Sequence, residues 1–194
     1  MEDVPRQPHS DADTTPRAPG DLELVRAFLS VHDHVSGTRD PDLPPSTETI
    51  AWWLRERGLI ADESPEEADL RLAVDVIEAL RSRVRENLGA GRDPAAIRTL
   101  DDAARASGLS VRFGAEGLAP TTEGVRGAIG RILAVAFVSE LDGTWSRFKM
   151  CSSPDCRSVF WDRSKNRSGR WCTMKDCGNR AKVRAYRERE RSAS

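Results

Sequence analysis

Apolar residues recur at three- and four-residue steps through DLELVRAFLSVHDH (21–34), where Leu22, Val25, Leu29 and His32 share one stripe with Phe28 beside it. That period predicts an amphipathic helix, with Asp21 as its N-cap. The turn-rich stretch GTRDPDLPPSTET follows. Ser46 or Thr47 is then placed to cap a short helix through Ile50, Trp53 and Leu54 that stops at Gly58. The longest regular pattern is 65–88, where Pro65 suits a first helical turn after Ser64 and Leu70, Ala73, Ile77, Leu80 and Val84 keep a 3.6-residue period. Asp93 followed by Pro94 opens another helix, through Ile97, Leu100 and Ala104, which ends near Gly108.

The period then changes. LSVRF (109–113) alternates apolar and polar residues like a short strand, and GAEGLAPTT is placed to turn back and pair with it. From about Thr122 a further helix runs through Val125, Ile129, Ile132 and Ala136, and Leu133, Val135, Phe137 and Val138 make it apolar nearly all round. Such a helix is expected to be buried. Gly124, Gly127 and Gly130 each weaken its start by about 1 kcal/mol relative to alanine, which close helix packing or a later N-terminus would explain. The expected fold class is mostly α (α+β), a helical body with one small β-hairpin. His32 and His34 stand two apart and so point to different sides of their helix, which favours surface or core histidines over a ligand pair. The body has neither a glycine-rich phosphate loop nor a nucleophile motif, so no enzymatic role is expected.

Composition alters this picture at both ends. The first 20 residues hold four prolines and one large aliphatic side chain, Val4, too little to offset chain entropy, and are read as a disordered arm. No window approaches a membrane span, and the start lacks an apolar leader, so a cytoplasmic protein without a membrane partner is expected. The formal net charge of −1 hides a division. Residues 145–194 carry 14 Lys and Arg against 5 Asp and Glu, a net of +9, while 1–144 carry 16 against 26, a net of −10. The expected organisation is an arm at 1–20, a helical regulatory or interaction body at 21–144, and a basic module at 145–194 whose charge favours a polyanion partner.

All four cysteines lie in that basic module, as Cys151-x4-Cys156 and Cys172-x4-Cys177 with fifteen residues between the pairs. Two close pairs across such a spacer can close a tetrahedron of thiolates around one zinc ion. Two disulfides are the alternative, disfavoured in a reducing cytosol. Four sulfurs leave no coordination position open, so the zinc would be structural, one ion standing in for the core that so short a segment lacks. Val159, Phe160 and Trp161, the polar turn 162–169 and Arg170-Trp171 predict that the spacer folds as a hairpin. Trp145, Phe148, Phe160, Trp161 and Trp171 are assigned mainly to the module's core, with base stacking as the rival role.

If Cys177 enters the first turn of a helix, Gly178 lets the backbone pass close to the metal, and Asn179 can hydrogen-bond a sulfur or a neighbouring backbone group. Arg180, Arg184, Arg187 and Arg191 then share one helical face, with Lys182 and Arg189 on another side and Val183 and Tyr186 available to pack. Arg163, Lys165, Arg167 and Arg170 add positive charge from the spacer. A zinc-anchored helix with an arginine stripe suits phosphates or a major groove, so DNA is the expected partner. An RNA- or protein-interaction module, with a redox-sensitive four-cysteine site as a further possibility, is the alternative.

The string C….C…FWDRS…RWC…CGNRAK.RAYR.R resembles the CGNR zinc-finger family, whose tetrad stands here as Cys177-Gly178-Asn179-Arg180. The body is more loosely similar to the ABATE-type domain that precedes this finger, in its helix order and in WL…GL at 53–59. The resemblance implies a bacterial protein with one zinc on the four cysteines and a treble-clef-like module, a β-hairpin followed by a basic helix. It further implies a DNA-binding, stress-associated transcription regulator whose body dimerises, senses an effector or holds another protein.

Overall fold

The computed structural model describes residues 15–31, 44–61, 65–114, 117–154 and 156–192. His32, His34 and Ser64 lie outside these. Four helices come first: α1 (Leu22–Leu29), α2 (Thr47–Glu56), α3 (Glu67–Glu86) and α4 (Pro94–Ala106). A hairpin of β1 (Ser110–Arg112) and β2 (Gly117–Ala119) leads to α5 (Gly124–Leu141). A 3₁₀ turn, Thr144–Arg147, enters the hairpin of β3 (Phe148–Met150) and β4 (Val159–Trp161), and a π-helical turn, Met174–Gly178, runs directly into α6 (Asn179–Ser192). The fold is thus mostly helical with two small antiparallel hairpins. No helix among the described residues is long and apolar enough to cross a membrane.

Local chemistry explains most of the boundaries. Ser46 Oγ accepts the Thr49 N–H at 3.2 Å, and Asp93 accepts those of Ala95 and Ala96 with Pro94 in the first turn. Both caps fall where the sequence predicts them. Asp21 does not cap α1 through its side chain; Glu23 takes the Ala18 N–H at 2.7 Å instead and pairs with Arg26. α2 and α4 stop in the same way. Gly58 and Gly108, each at φ +61°, turn left-handed, and the next leucine donates back to the third-last helical carbonyl, Leu59 to Leu54 and Leu109 to Ala104, at 3.0 Å each.

The glycines of α5 reflect packing. A Cβ at Gly130 would lie 2.6 Å from Pro120 Cβ and 2.9 Å from Ser107 Cβ, so the helix rides directly on the end of α4 and the strand exit. The core between the helices holds Phe28, Leu29, Ile50, Trp53, Leu54, Ile77, Leu80, Ile129 and Ile132. It extends into the C-terminal segment. Trp145, Phe148, Met150, Val159 and Trp161 are buried in the same cluster, with ring centroids 5.0 Å apart for Trp145–Phe148 and 5.1 Å for Phe148–Trp161. The hydrocarbon core therefore continues past residue 145 into the basic segment.

The second hairpin also differs from expectation. β4 pairs back with β3, in the register Phe148↔Trp161, Lys149↔Phe160 and Met150↔Val159, so the hairpin closes over the first cysteine pair. The spacer's far end adds no strand to this hairpin; Ser152 N–H to Arg170 O at 2.8 Å and Gly169 N–H to the Asp162 carboxylate at 2.7 Å hold it alongside. The reason is amphipathic: Val159 and Trp161 on one strand face meet a hydrocarbon core that the rest of the spacer cannot offer.

Gly130→Ala should cost about 1–3 kcal/mol by forcing α5 off its neighbours, whereas Gly91→Ala, in open space, should leave stability unchanged or slightly raised. Urea unfolding of the two variants checks this, and equal midpoints would remove the packing explanation.

Candidate metal centre

The four cysteines converge from two pieces of chain. Cys151 and Cys156 lie in the turn between β3 and β4, where Cys151 N–H donates to Ser158 O at 2.9 Å and Arg157 adopts a left-handed φ of +50°. Cys172 follows Trp171, and Cys177 sits in the π-helical turn, whose first loop is closed by Thr173 Oγ1 accepting the Asp176 N–H at 3.3 Å. All four sulfurs lie within 4.8 Å of one another, with Cys156–Cys172 at 3.7 Å and Cys172–Cys177 at 3.6 Å. A tetrahedron built on Zn–S bonds of about 2.3 Å has edges of about 3.8 Å. None of the four is in a disulfide.

The electrostatics also call for a cation. Hydrogen bonding with Cys156 pushes the Cys151 thiol up to about 12, and contact with Cys151 and Cys156 raises Cys172 as well, while Cys151 and Cys172 together hold Cys156 far below its ordinary value. Cys156 takes a negative charge readily while Cys151 and Cys172 resist one, a conflict that a divalent ion between the sulfurs resolves. Sulfur spacing and donor type fit one structural zinc held by Cys151, Cys156, Cys172 and Cys177.

The hairpin is a wall between two clusters. Val159 and Trp161 enter the body core, while Phe160 packs with Cys151, Cys172 and Cys177, and Trp171 closes the other side. Polar bonds fasten the same wall to the helices. Arg81, only 4% exposed on α3, donates to Leu29 O at the end of α1 (2.9 Å) and to Arg157 O beside the cysteine turn (3.3 Å). Asn87 Nδ2 reaches Trp145 O and Phe148 O, at 2.9 and 3.0 Å, and Lys149 Nζ returns to Asn87 O at 2.8 Å.

After the second cysteine pair, Gly178 lies under the exposed Met174 side chain: its Cβ would stand 2.8 Å from Met174 Sδ, which would have to swing aside, and 3.4 Å from Trp171 Cδ1. Asn179 takes the backbone option, Nδ2 to Lys175 O at 2.9 Å. Arg180 turns back, with Nη2 3.2 Å from Cys177 Sγ and 3.1 Å from Asp176 Oδ2. Beyond Ala181, residues 182–191 of α6 are exposed. Arg180, Arg184, Arg187 and Arg191 line one shallow trough of about 470 Å³ with Lys175, Asp176, Asn179 and Val183, so the four arginines do share a face.

The spacer's cations are exposed and lie outside the α6 trough: Arg163 donates to Arg17 O ahead of α1 and Arg167 to Ser146 Oγ in the 3₁₀ turn, each at 2.5 Å, and Arg170 stacks over the Trp171 ring at 5.5 Å. Lys165 and Lys182 are exposed. What orders the loop is Asp162, a residue the sequence reading passed over. Its buried carboxylate accepts the Ser164 N–H at 2.9 Å and the Gly169 N–H at 2.7 Å. Burial pushes that carboxyl up, but hydrogen bonds from Ser164 and Gly169, with Lys149 nearby, outweigh it and leave the value lowered. A lowered carboxyl stabilises the fold fully above its unfolded value near 4, and that share fades as pH falls through the folded value. The Asp-x-Ser step after an apolar run was the available signal, a side chain that turns its own backbone. Arg81 was likewise visible as a charge one turn after Ile77 on the apolar stripe.

Residues 147–190 match the family model of the CGNR zinc finger. No curated protein matches the chain.

Two outcomes follow from this geometry. Cys172→Ser should lose zinc and lower the unfolding midpoint of the whole helical body, read by circular dichroism, because the hairpin belongs to both clusters; a body with unchanged midpoint would show the clusters to be independent. Asp162→Ala should cost about 1–3 kcal/mol in urea unfolding at neutral pH by stranding two backbone N–H groups, and a stability equal to that of the parent would show that water replaces the carboxylate.

Proposed function

We propose that the chain is a zinc-dependent DNA-binding protein, a bacterial transcription regulator that grips the duplex through α6. The observation that carries this reading is a basic helix anchored at one end in the metal centre and exposed along the rest of its length, with four of its five arginines on one face. At about 1.5 Å per residue, Arg184 to Arg191 spans about 10 Å, and the length of the arginine side chains extends that reach to phosphates on both rims of a major groove about 12 Å wide. The arginine fork binds phosphate oxygens in pairs, which a lysine does not match.

Base stacking has less support, since Trp145, Phe148, Phe160 and Trp161 are buried and unavailable to nucleobases. That favours duplex DNA over single-stranded RNA. The acidic helical body is read as the ABATE-like part, which dimerises or receives the regulatory signal, and the reading calls for a reducing cytoplasm that keeps the thiols free for zinc.

The paired change Arg184→Glu and Arg187→Glu should abolish retention of duplex DNA at physiological salt while zinc content and helical circular dichroism stay as in the parent. Unchanged affinity would rule out this face. In the parent, log affinity should fall linearly with log salt, by about 0.9 for each phosphate contact.

A further inference from the structure

Arg180 follows Cys177 by three residues, so one helical turn returns its guanidinium over that cysteine. Nη2 lies within hydrogen-bond distance of both Cys177 Sγ, 3.2 Å, and Asp176 Oδ2, 3.1 Å. Four thiolates around a divalent ion carry a net charge of about −2, and a fixed N–H donor next to a ligand sulfur offsets part of it. The same side chain forms the N-terminal end of the α6 trough, beside Lys175 and Asn179.

We propose that Arg180 is a positioning residue of the zinc centre and not one of the arginines that grip DNA. Its guanidinium ties the first turn of α6 to a metal-ligand sulfur and to the π-helical turn before it. That tie fixes the direction in which Arg184, Arg187 and Arg191 leave the metal. Both contacts come from the one nitrogen Nη2, so lysine at this position would keep the charge and the donors but lose the length and the fixed plane of the guanidinium. Only the DNA arm of the test rests on the function proposed above.

The test compares the zinc-loaded full chain with Arg180→Ala, Arg180→Lys and, as a control, Arg187→Gln. Transfer of zinc to a chromophoric chelator should be about tenfold faster in Arg180→Ala, intermediate in Arg180→Lys and unchanged in Arg187→Gln. In the cobalt-substituted proteins the thiolate-to-metal charge-transfer band should move to longer wavelength in Arg180→Ala alone or most strongly, because the sulfur loses a hydrogen-bond donor. On duplex DNA, Arg187→Gln should lower the log–log salt slope by about 0.9, whereas Arg180→Ala should weaken binding with the slope retained. Unchanged zinc transfer and an unmoved band in Arg180→Ala would overturn the proposal, as would a slope loss in it equal to that of Arg187→Gln. If the parent binds no duplex, the DNA reading fails and the two metal readouts still decide the role of Arg180. Should Arg180→Ala not fold, Arg180→Lys carries the same two readouts.

Discussion

Strand β4 places Val159 and Trp161 in the hydrocarbon core and Phe160 against the cysteine sulfurs, and both halves of the protein depend on that alternation. A strand presents successive side chains to opposite faces, so three residues are enough to serve two environments. The register of β4 on β3 fixes which residues go where. A slip by one would put Phe160 into the body and expose Trp161, and the first cysteine pair would lose its position in the turn between the strands. The body supplies the apolar burial that a metal module of this size cannot supply alone, at about 1.5–3 kcal/mol for a side chain such as Phe148 or Val159.

Polar bonds give that arrangement its direction. The last carbonyls of a helix lack partners within the helix, and here they are met from the metal side of the molecule or from the helix that abuts it. Arg81 satisfies Leu29 O at the end of α1 and continues to Arg157 O, while Ser30 Oγ lies 3.3 Å from Val159 O. At the end of α3 Lys149 Nζ meets Asn87 O, and Asn87 Nδ2 in turn donates to Trp145 O and Phe148 O. Cationic groups at helix C-termini are favoured by the helix dipole as well as by hydrogen bonding, which helps to offset the cost of burying the Arg81 guanidinium. The metal centre is thereby joined to the carbonyl ends of two helices, and α6 leaves it with a direction set by the whole fold.

α6 is a different kind of element. A helix of 14 residues is marginal in isolation, and this one gains almost nothing from packing beyond its first turn. Its order comes from the anchored end: the π-helical turn, Asn179 on Lys175 O, and Arg180 between Cys177 and Asp176. Farther along, Tyr186 hydrogen-bonds Glu190, which raises the phenol above its ordinary value. A helix held at one end with its cations outward is suited to gain its remaining order from a polyanion, the partner its charge calls for.

The sequence by itself determined the features that neighbours within a few residues encode. The apolar period drew five helices of the body and the first hairpin, Ser46 and Asp93 marked two starts, and the glycine–leucine steps at 58–59 and 108–109 marked two ends, because caps and left-handed stops are satisfied by adjacent backbone. The spacing of the cysteines identified the metal chemistry for the same reason: each ligand pair is a local turn. Only the tertiary structure decided that β4 pairs with β3, that Trp145, Phe148 and Trp161 of the basic module join the body's core, that Asn179 serves a carbonyl, and that Arg180 turns to a sulfur while Arg163 turns to Arg17 O and Arg167 to Ser146 Oγ. Those choices depend on surfaces brought together from distant parts of the chain, where a long arginine or an alternating strand has several acceptable partners and the one that buries most apolar area with every polar group satisfied prevails.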